Sequence, residues 1–166
     1  GYLEGTGVSI LPEPQVLLTA TPKVPGLDGR KMSKSYGNTI GLREDPDEVA
    51  KKLKVMVTDP ARARRTDPGD PEKCPVWDLH KIYSGQATQE WVQQGCRTAG
   101  IGCLDCKKPL IEKIVEEIGV IRKRAQEYED TPELVHGIID EGCEKAREAA
   151  RQTLQDVREA MGLVYR

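Results

Sequence analysis

The sequence contains no phenylalanine, and its aromatic residues are two tryptophans and five tyrosines in 166 residues, so any core must be mostly aliphatic. No uninterrupted apolar run approaches the ~20 residues that a membrane-spanning helix needs, which points to a chain that works in water. No charged stretch followed by an apolar segment and a small-residue cleavage site opens it, so the cytoplasm is the expected compartment. Neither sign of charge dominates. With 25 Lys and Arg against 27 Asp and Glu, the formal charge is −2, which excludes a generally basic protein that coats DNA. Five cysteines in such a chain read as reduced thiols, metal ligands or packing residues rather than a disulfide framework. Internal repeats and low-complexity segments are also lacking.

What is present divides at about residue 44 into a Gly/Pro-rich first quarter and a charged, aliphatic remainder. In the first part, Pro14 to Ala20 is the one good strand candidate, a short apolar run fenced by prolines. One strand makes no sheet. A run of this kind suits a parallel sheet whose other strands are not in this sequence. Residues 1–44 are therefore expected to pack poorly unless another chain covers them.

Helix signals dominate the remainder. Asp45-Pro46-Asp47-Glu48 sets a cap, a proline at the first helical position and acid at the positive end, opening a helix to about Met56. Pro75 opens a second helix, closed by Gly85. Thr88-Gln89-Glu90 opens a third, closed by Gly95. Ile111, Ile114, Ile118, Ile121, Ala125 and Tyr128 form a narrow seam on a fourth. After Thr131-Pro132, Val135, Ile139, Cys143, Ala146, Ala150, Leu154, Val157 and Met161 form a stripe on a fifth, expected to lie antiparallel to the fourth.

The sharpest chemical signal is Lys31-Met32-Ser33-Lys34-Ser35, preceded by Pro25-Gly26-Leu27-Asp28-Gly29-Arg30 and followed by Gly37-Asn38. Two mobile ammonium groups, serine donors and flanking glycines make a loop that can close over polyanionic oxygens. It is not the nucleoside triphosphatase P-loop, because no Gly-x4-Gly-Lys-Ser/Thr occurs. The second signal is Cys96-x6-Cys103-x2-Cys106, with Cys74 a further 21 intervening residues upstream. Four thiolates suit tetrahedral zinc or a cubane iron–sulfur cluster. A single CxxC knuckle, rather than two, leans towards the cluster. Cys143 lies on the apolar stripe of the last helix, where packing is its expected role.

KMSKS within VPGLDGRKMSKSYGN resembles the signature of the class I aminoacyl-tRNA synthetases. LPEPQVLL before it and TDPARARRTDPGDPEKCPVWDLHKIYS after the first helix resemble the tryptophanyl branch, from about residue 11 to the end. The resemblance implies a mainly α architecture. Residues 1–44 would be the last strand and KMSKS loop of a Rossmann-type α/β catalytic domain, and residues 45–166 a helical anticodon-binding bundle. Lys31, Met32, Ser33, Lys34 and Ser35 would bind the ATP phosphates, with Lys31 and Lys34 catalytic as pyrophosphate leaves, helped by Mg²⁺. Tryptophan and tRNA(Trp) would be the other substrates, and the intact enzyme a homodimer.

Cys74, Cys96, Cys103 and Cys106 resemble the ligand set of the subset of this family that carries a [4Fe-4S] cluster, with zinc as the alternative. The family's second signature, of His-x-Gly-His type, is absent: the two histidines, His80 and His136, stand in other contexts and read as ordinary helix residues. The chain is thus expected to be a C-terminal portion, inactive alone. Arg97, Lys107 and Lys108 flank the cysteines and are candidate tRNA contacts. Residues 51–65, with six basic side chains against Asp59 alone, form a second basic stretch. A tyrosyl-type fragment is the nearest alternative. A non-catalytic tRNA-binding or iron–sulfur module is another, although it leaves the lysine loop without a task.

Overall fold

A computed structural model describes residues 11–19 and 21–163. They form five α-helices: α1 (Pro46–Val55), α2 (Pro75–Tyr83), α3 (Gln86–Arg97), α4 (Cys103–Asp130) and α5 (Pro132–Ala160), with short 3-10 turns at Lys34–Tyr36 and Pro71–Lys73. The chain divides into two compact units. One runs from 18 to 126; the other takes residues up to 17 and those from 127 onward. The lysine loop, α1 to α3 and most of α4 fall within the first unit, and α5 falls within the second.

The helices start where the sequence places caps and prolines. Asp45 accepts the backbone N–H of Asp47 at 2.9 Å and Pro46 follows it, which opens α1. Asp70 does the same for the turn at Pro71, and Cys74-Pro75 opens α2. Helix α3 differs from expectation at both ends: it starts at Gln86 rather than Thr88 and continues past Gly95, so Cys96 lies on the helix. Helix α4 begins at Cys103, so the CxxC pair occupies its first turns.

The first unit's core is aliphatic. Val49, Leu53 and Met56 of α1 and its exit meet Val76 and Leu79 of α2 and Leu110, Ile114 and Ile118 of α4. Fully burying each such side chain is worth about 1.5–3 kcal/mol. On α4, Ile114 and Ile118 of the expected seam are buried and Ile111 packs at the edge, while Tyr128 remains 45% exposed. Lys107 is 3% exposed, and its ammonium donates to the carbonyls of Lys54 at 2.9 Å and Met56 at 2.5 Å. A lysine of α4 thus satisfies carbonyls that the last turn of α1 leaves open.

Among the described residues there is no strand, only an isolated antiparallel bridge between Pro25 and Lys31. The strand expected at Pro14 to Ala20 is corrected accordingly. Residues 12–19 have no regular structure, and Val16, Leu17 and Leu18 are 80%, 98% and 67% exposed. A strand needs a ladder partner, and among the described residues none pairs with this run. The poor packing expected for residues 1–44 stops there: Val24, Leu27 and Ile40 pack on the helical core. In the second unit α5 has no buried residue; its stripe stays open, with Ile139 at 52% and Leu154 at 48% exposure.

Candidate functional site

The lysine loop is an ordered platform. Gly26 N–H donates to the Arg30 carbonyl at 2.7 Å, Met32 N–H to the Val24 carbonyl at 2.8 Å and Leu27 N–H to the Asn38 carbonyl at 3.0 Å. Gly29 at φ +80° and Gly37 at φ +65° occupy the left-handed region, the first in the tight turn and the second ending the 3-10 turn at Lys34–Tyr36. Asn38, 3% exposed, ties these strokes together. Its Nδ2 donates to Asp28 Oδ1 at 2.7 Å and to the Lys31 carbonyl at 3.2 Å, and its Oδ1 accepts Ser33 N–H at 2.8 Å.

Arg30 closes the outside of the turn through Asp28 and stacks over Tyr36 at 4.6 Å. The Asn38 amide bond is the chief reason the Asp28 carboxyl lies low, at about 2, with the Arg30 guanidinium assisting. Met32 points the other way. It lines an apolar cavity of about 240 Å³ with Val24, Ile40, Leu79, Tyr83 and Ile118, which anchors the middle of the loop on the helices.

What the loop leaves outward is positive and donor-rich. Lys31, Lys34 and Ser35 are exposed, Ser33 is half-buried, and the Ser33 and Ser35 hydroxyls lie 2.9 Å apart. Neither lysine takes part in an ion pair among the described residues. Two free ammonium groups on a fixed backbone form a receptor for a polyanion.

Behind the loop lie the cysteines. Cys74 is the N-cap of α2, Cys103 opens α4 with Cys106 one turn on, and Cys96 is near the end of α3. The N-termini of α2 and α4 thus carry Cys74 and Cys103. Burial first, and then the neighbouring Cys74, Cys96 and Cys103, push the Cys106 thiol up to about 12 against the pull of Lys107. Burial also raises Cys96, against the pull of Arg62, and the neighbouring cysteines add to the rise. Cys74, Cys96 and Cys103 thus lie near enough to Cys106 to act on its charge.

Among the described residues, no group of three or more His, Cys, Asp or Glu is disposed to hold a metal ion. One buried donor beside the cysteines lacks an acceptor among the described residues. Arg62, 8% exposed, reaches Cys96 Sγ at 3.8 Å, and its Nε is buried without a partner.

Sequence reasoning missed three groups here. His80 is fully buried, with Nδ1 2.7 Å from Ser84 Oγ and Nε2 3.2 Å from the Cys106 carbonyl; burial pushes its imidazole pKa down, favouring the neutral ring. Arg62 was read only as part of a basic stretch, and Lys107 as a candidate RNA contact. Lys107 is corrected: it is buried on two carbonyls and presents no cation to a ligand. Arg97 is exposed, and Lys108 is exposed while pairing with Asp105 at 3.4 Å. Within the 51–65 stretch, Lys51 pairs with Glu48 and Lys52 with Glu44, so less of its charge is free than the composition implies.

Residues 2–118 match the family model for class I tRNA synthetases (W and Y), about 70% of the chain. The chain belongs to that family. It is 61% identical over 165 residues to a tryptophan–tRNA ligase of Ralstonia nicotianae, covering 99% of this chain and 41% of the relative. It is 45% identical over 157 residues to the tryptophan–tRNA ligase of Thermotoga maritima, covering 94% and 48%. Among solved structures, tryptophanyl-tRNA synthetase from Campylobacter jejuni, complexed with ADP and tryptophan, superimposes with a TM-score of 0.69 at 31% identity over 85% of this chain and 44% of that one.

These relatives are enzymes of the tryptophan branch, and the chain spans less than half the length of each. No helix among the described residues is long and apolar enough to cross a membrane.

Proposed function

We propose that this chain is the C-terminal part of a tryptophan–tRNA ligase, which joins tryptophan to ATP as tryptophanyl-adenylate and passes it to tRNA(Trp). The observation that carries the reading is the lysine loop: a backbone fixed by Asn38 and Asp28, with Lys31 and Lys34 free to meet phosphate oxygens. In the reaction the tryptophan carboxylate attacks the α-phosphorus of ATP and pyrophosphate leaves. Negative charge grows on that leaving group, and ammonium groups placed beside it stabilise the transition state more than the ground state. Lys34 and Lys31 take this role. Met32, Ser33 and Ser35 complete the phosphate site, and Mg²⁺ accompanies the nucleotide.

Residues 1–44 then belong to the edge of the nucleotide-binding domain and residues 45–166 to a helical anticodon-binding domain, within a homodimer that works in the cytoplasm. Arg97 and Lys108 remain the surface cations nearest the cysteines for RNA contact.

Cys74, Cys96, Cys103 and Cys106 would hold a [4Fe-4S] cluster. When bound, such a group supplies a covalent tie among four points of the chain. The reading is supported by the donor set, four thiols of which Cys74, Cys96 and Cys103 lie near enough to Cys106 to act on its charge.

Two experiments test these readings. In the intact protein, Lys34→Ala should abolish most tryptophan-dependent ATP–pyrophosphate exchange while sparing tryptophan binding; full activity removes the lysine loop from the chemistry. Iron, sulfide and zinc analysis of anaerobically purified protein beside Cys103→Ser should give about four irons and four sulfides per chain, lost in the variant. One zinc per chain would keep the synthetase assignment and make the site a structural clip.

A further inference from the structure

The cavity beneath the lysine loop is aliphatic over most of its wall and carries two polar groups that are bonded to nothing else described. It holds about 240 Å³ between Met32 of the loop, Leu79 and Tyr83 of α2, and Ile114, Glu117 and Ile118 of α4. Leu42 and Ile121, both exposed, also line it, so the cavity opens to solvent. Its volume falls just short of the ~300 Å³ at which drug-sized sites begin, which suits a ligand of few atoms.

The polar groups lie together. Glu117 has no ion pair and no hydrogen bond among the described residues; Lys113, one turn earlier on α4, gives its ammonium to Glu116 at 2.7 Å and feels Glu117 only through space. The Tyr83 hydroxyl makes no hydrogen bond among the described residues either. Burial raises the pKa of that phenol, and the nearby Glu117 charge raises it further, so the two oxygens form one electronegative edge on an oily wall. An anion would be repelled from this edge, and a neutral hydrocarbon would leave the carboxylate unused. A cation with an apolar body satisfies both parts of the wall.

We propose that the cavity is a binding site for a small apolar primary amine, whose ammonium donates to the Glu117 carboxylate and the Tyr83 hydroxyl oxygen while its hydrocarbon body lies against Met32, Ile114 and Ile118. The site is separate from the phosphate-facing side of the loop, since Met32 points away from Lys31 and Lys34. It depends neither on the synthetase reading nor on the cysteines.

The test titrates the 166-residue chain with 2-phenylethylamine, its neutral counterpart 2-phenylethanol and the anion 3-phenylpropionate. Methionine methyl NMR locates the binding. Of the three methionines only Met32 lines the cavity; Met56 belongs to the helical core and Met161 to the other unit. The amine should shift the Met32 methyl to saturation with a Kd of about 1 mM or tighter and leave Met161 unmoved. The alcohol should bind about tenfold more weakly, and the anion more weakly still. E117Q, at an exposed position outside the core, should weaken the amine about tenfold and leave the alcohol unchanged.

A Met32 methyl that stays unmoved at about ten times that amine concentration overturns the site. Equal binding of amine and alcohol, or an E117Q chain that takes the amine as the wild type does, overturns the recognition of a cation. Calorimetry on the intact protein and its E117Q form supplies the last arm. An E117Q-sensitive heat of amine binding supports the assignment there, whereas binding by this chain with no such component in the intact protein overturns it, because the rest of that protein then covers the cavity.

Discussion

Asn38→Ala isolates the contribution of loop order from that of loop charge. The substitution removes three hydrogen bonds, to Asp28, to the Lys31 carbonyl and from Ser33 N–H, and leaves Lys31 and Lys34 untouched. At about 1 kcal/mol net for each bond, the ordered loop loses about 3 kcal/mol relative to looser forms. If only the ordered loop presents both ammonium groups to the leaving pyrophosphate, kcat/KM for ATP should fall by about two orders of magnitude.

Tryptophan-dependent ATP–pyrophosphate exchange in the intact protein measures this. The thermal midpoint of the present chain should move little, since no part of the Asn38 side chain belongs to the core of α1, α2 and α4. Gly26→Ala is an orthogonal perturbation: it deletes no donor, but its Cβ would lie 2.2 Å from Asn38 Nδ2 and must push the amide out, so it should reproduce the defect. An N38A enzyme with unchanged kcat/KM for ATP would refute the idea that this network positions the lysines.

Other expectations follow from the same structure. Asp28 titrates at about 2 against an ordinary 3.8, so its contribution to loop order is complete above the ordinary value and fades as the pH falls through 3.8 towards 2. Carbon-13 NMR of its carboxyl should find the low value in the wild type and a rise towards 3.8 in N38A; an unmoved value would deny Asn38 the leading role. Leu110→Ala, at a fully buried position, should destabilise the helical unit by about 2–5 kcal/mol in a urea titration, and a loss below 1 kcal/mol would mean this core is not packed as described. Lys107→Met keeps the stem and deletes the cap on α1, which should cost about 1–3 kcal/mol while leaving tRNA affinity of the intact protein and its salt dependence unchanged; a weaker salt slope would return Lys107 to the RNA surface.

Local chemistry was the legible part of the sequence. Asp45-Pro46, Cys74-Pro75 and Thr131-Pro132 carry their own starting instructions, and α1, α2 and α5 begin at those prolines. The lysine motif stands out as one loop because its glycines and ammonium groups are contiguous, and Gly29 and Gly37 do take the left-handed conformation there. What failed depends on distant partners. Pro14 to Ala20 has strand composition, but a strand is defined by its neighbour. Lys107 reads as a surface cation beside a cysteine until α1, more than fifty residues earlier, presents its carbonyls. His80, Arg62 and Asn38 are each single polar residues whose burial only the tertiary fold decides. The α5 stripe shows the opposite limit: a clear helical period says which face is apolar, not that anything covers it.

The contact between Gly29 and Pro75 bears on how this family's parts could be exchanged. A Cβ on Gly29 would stand 3.1 Å from Pro75 Cγ, the residue after Cys74, while Val57 N–H donates to the Leu27 carbonyl at 3.1 Å just beyond the helix that Lys107 caps. The lysine loop and the start of α2 beside Cys74 are therefore in contact within one block. A chimera joined at residue 44, where composition alone would cut, inherits two half-surfaces that have never met. Grafts of a foreign lysine loop should succeed only when the recipient's 55–57 and 74–75 segments travel with it.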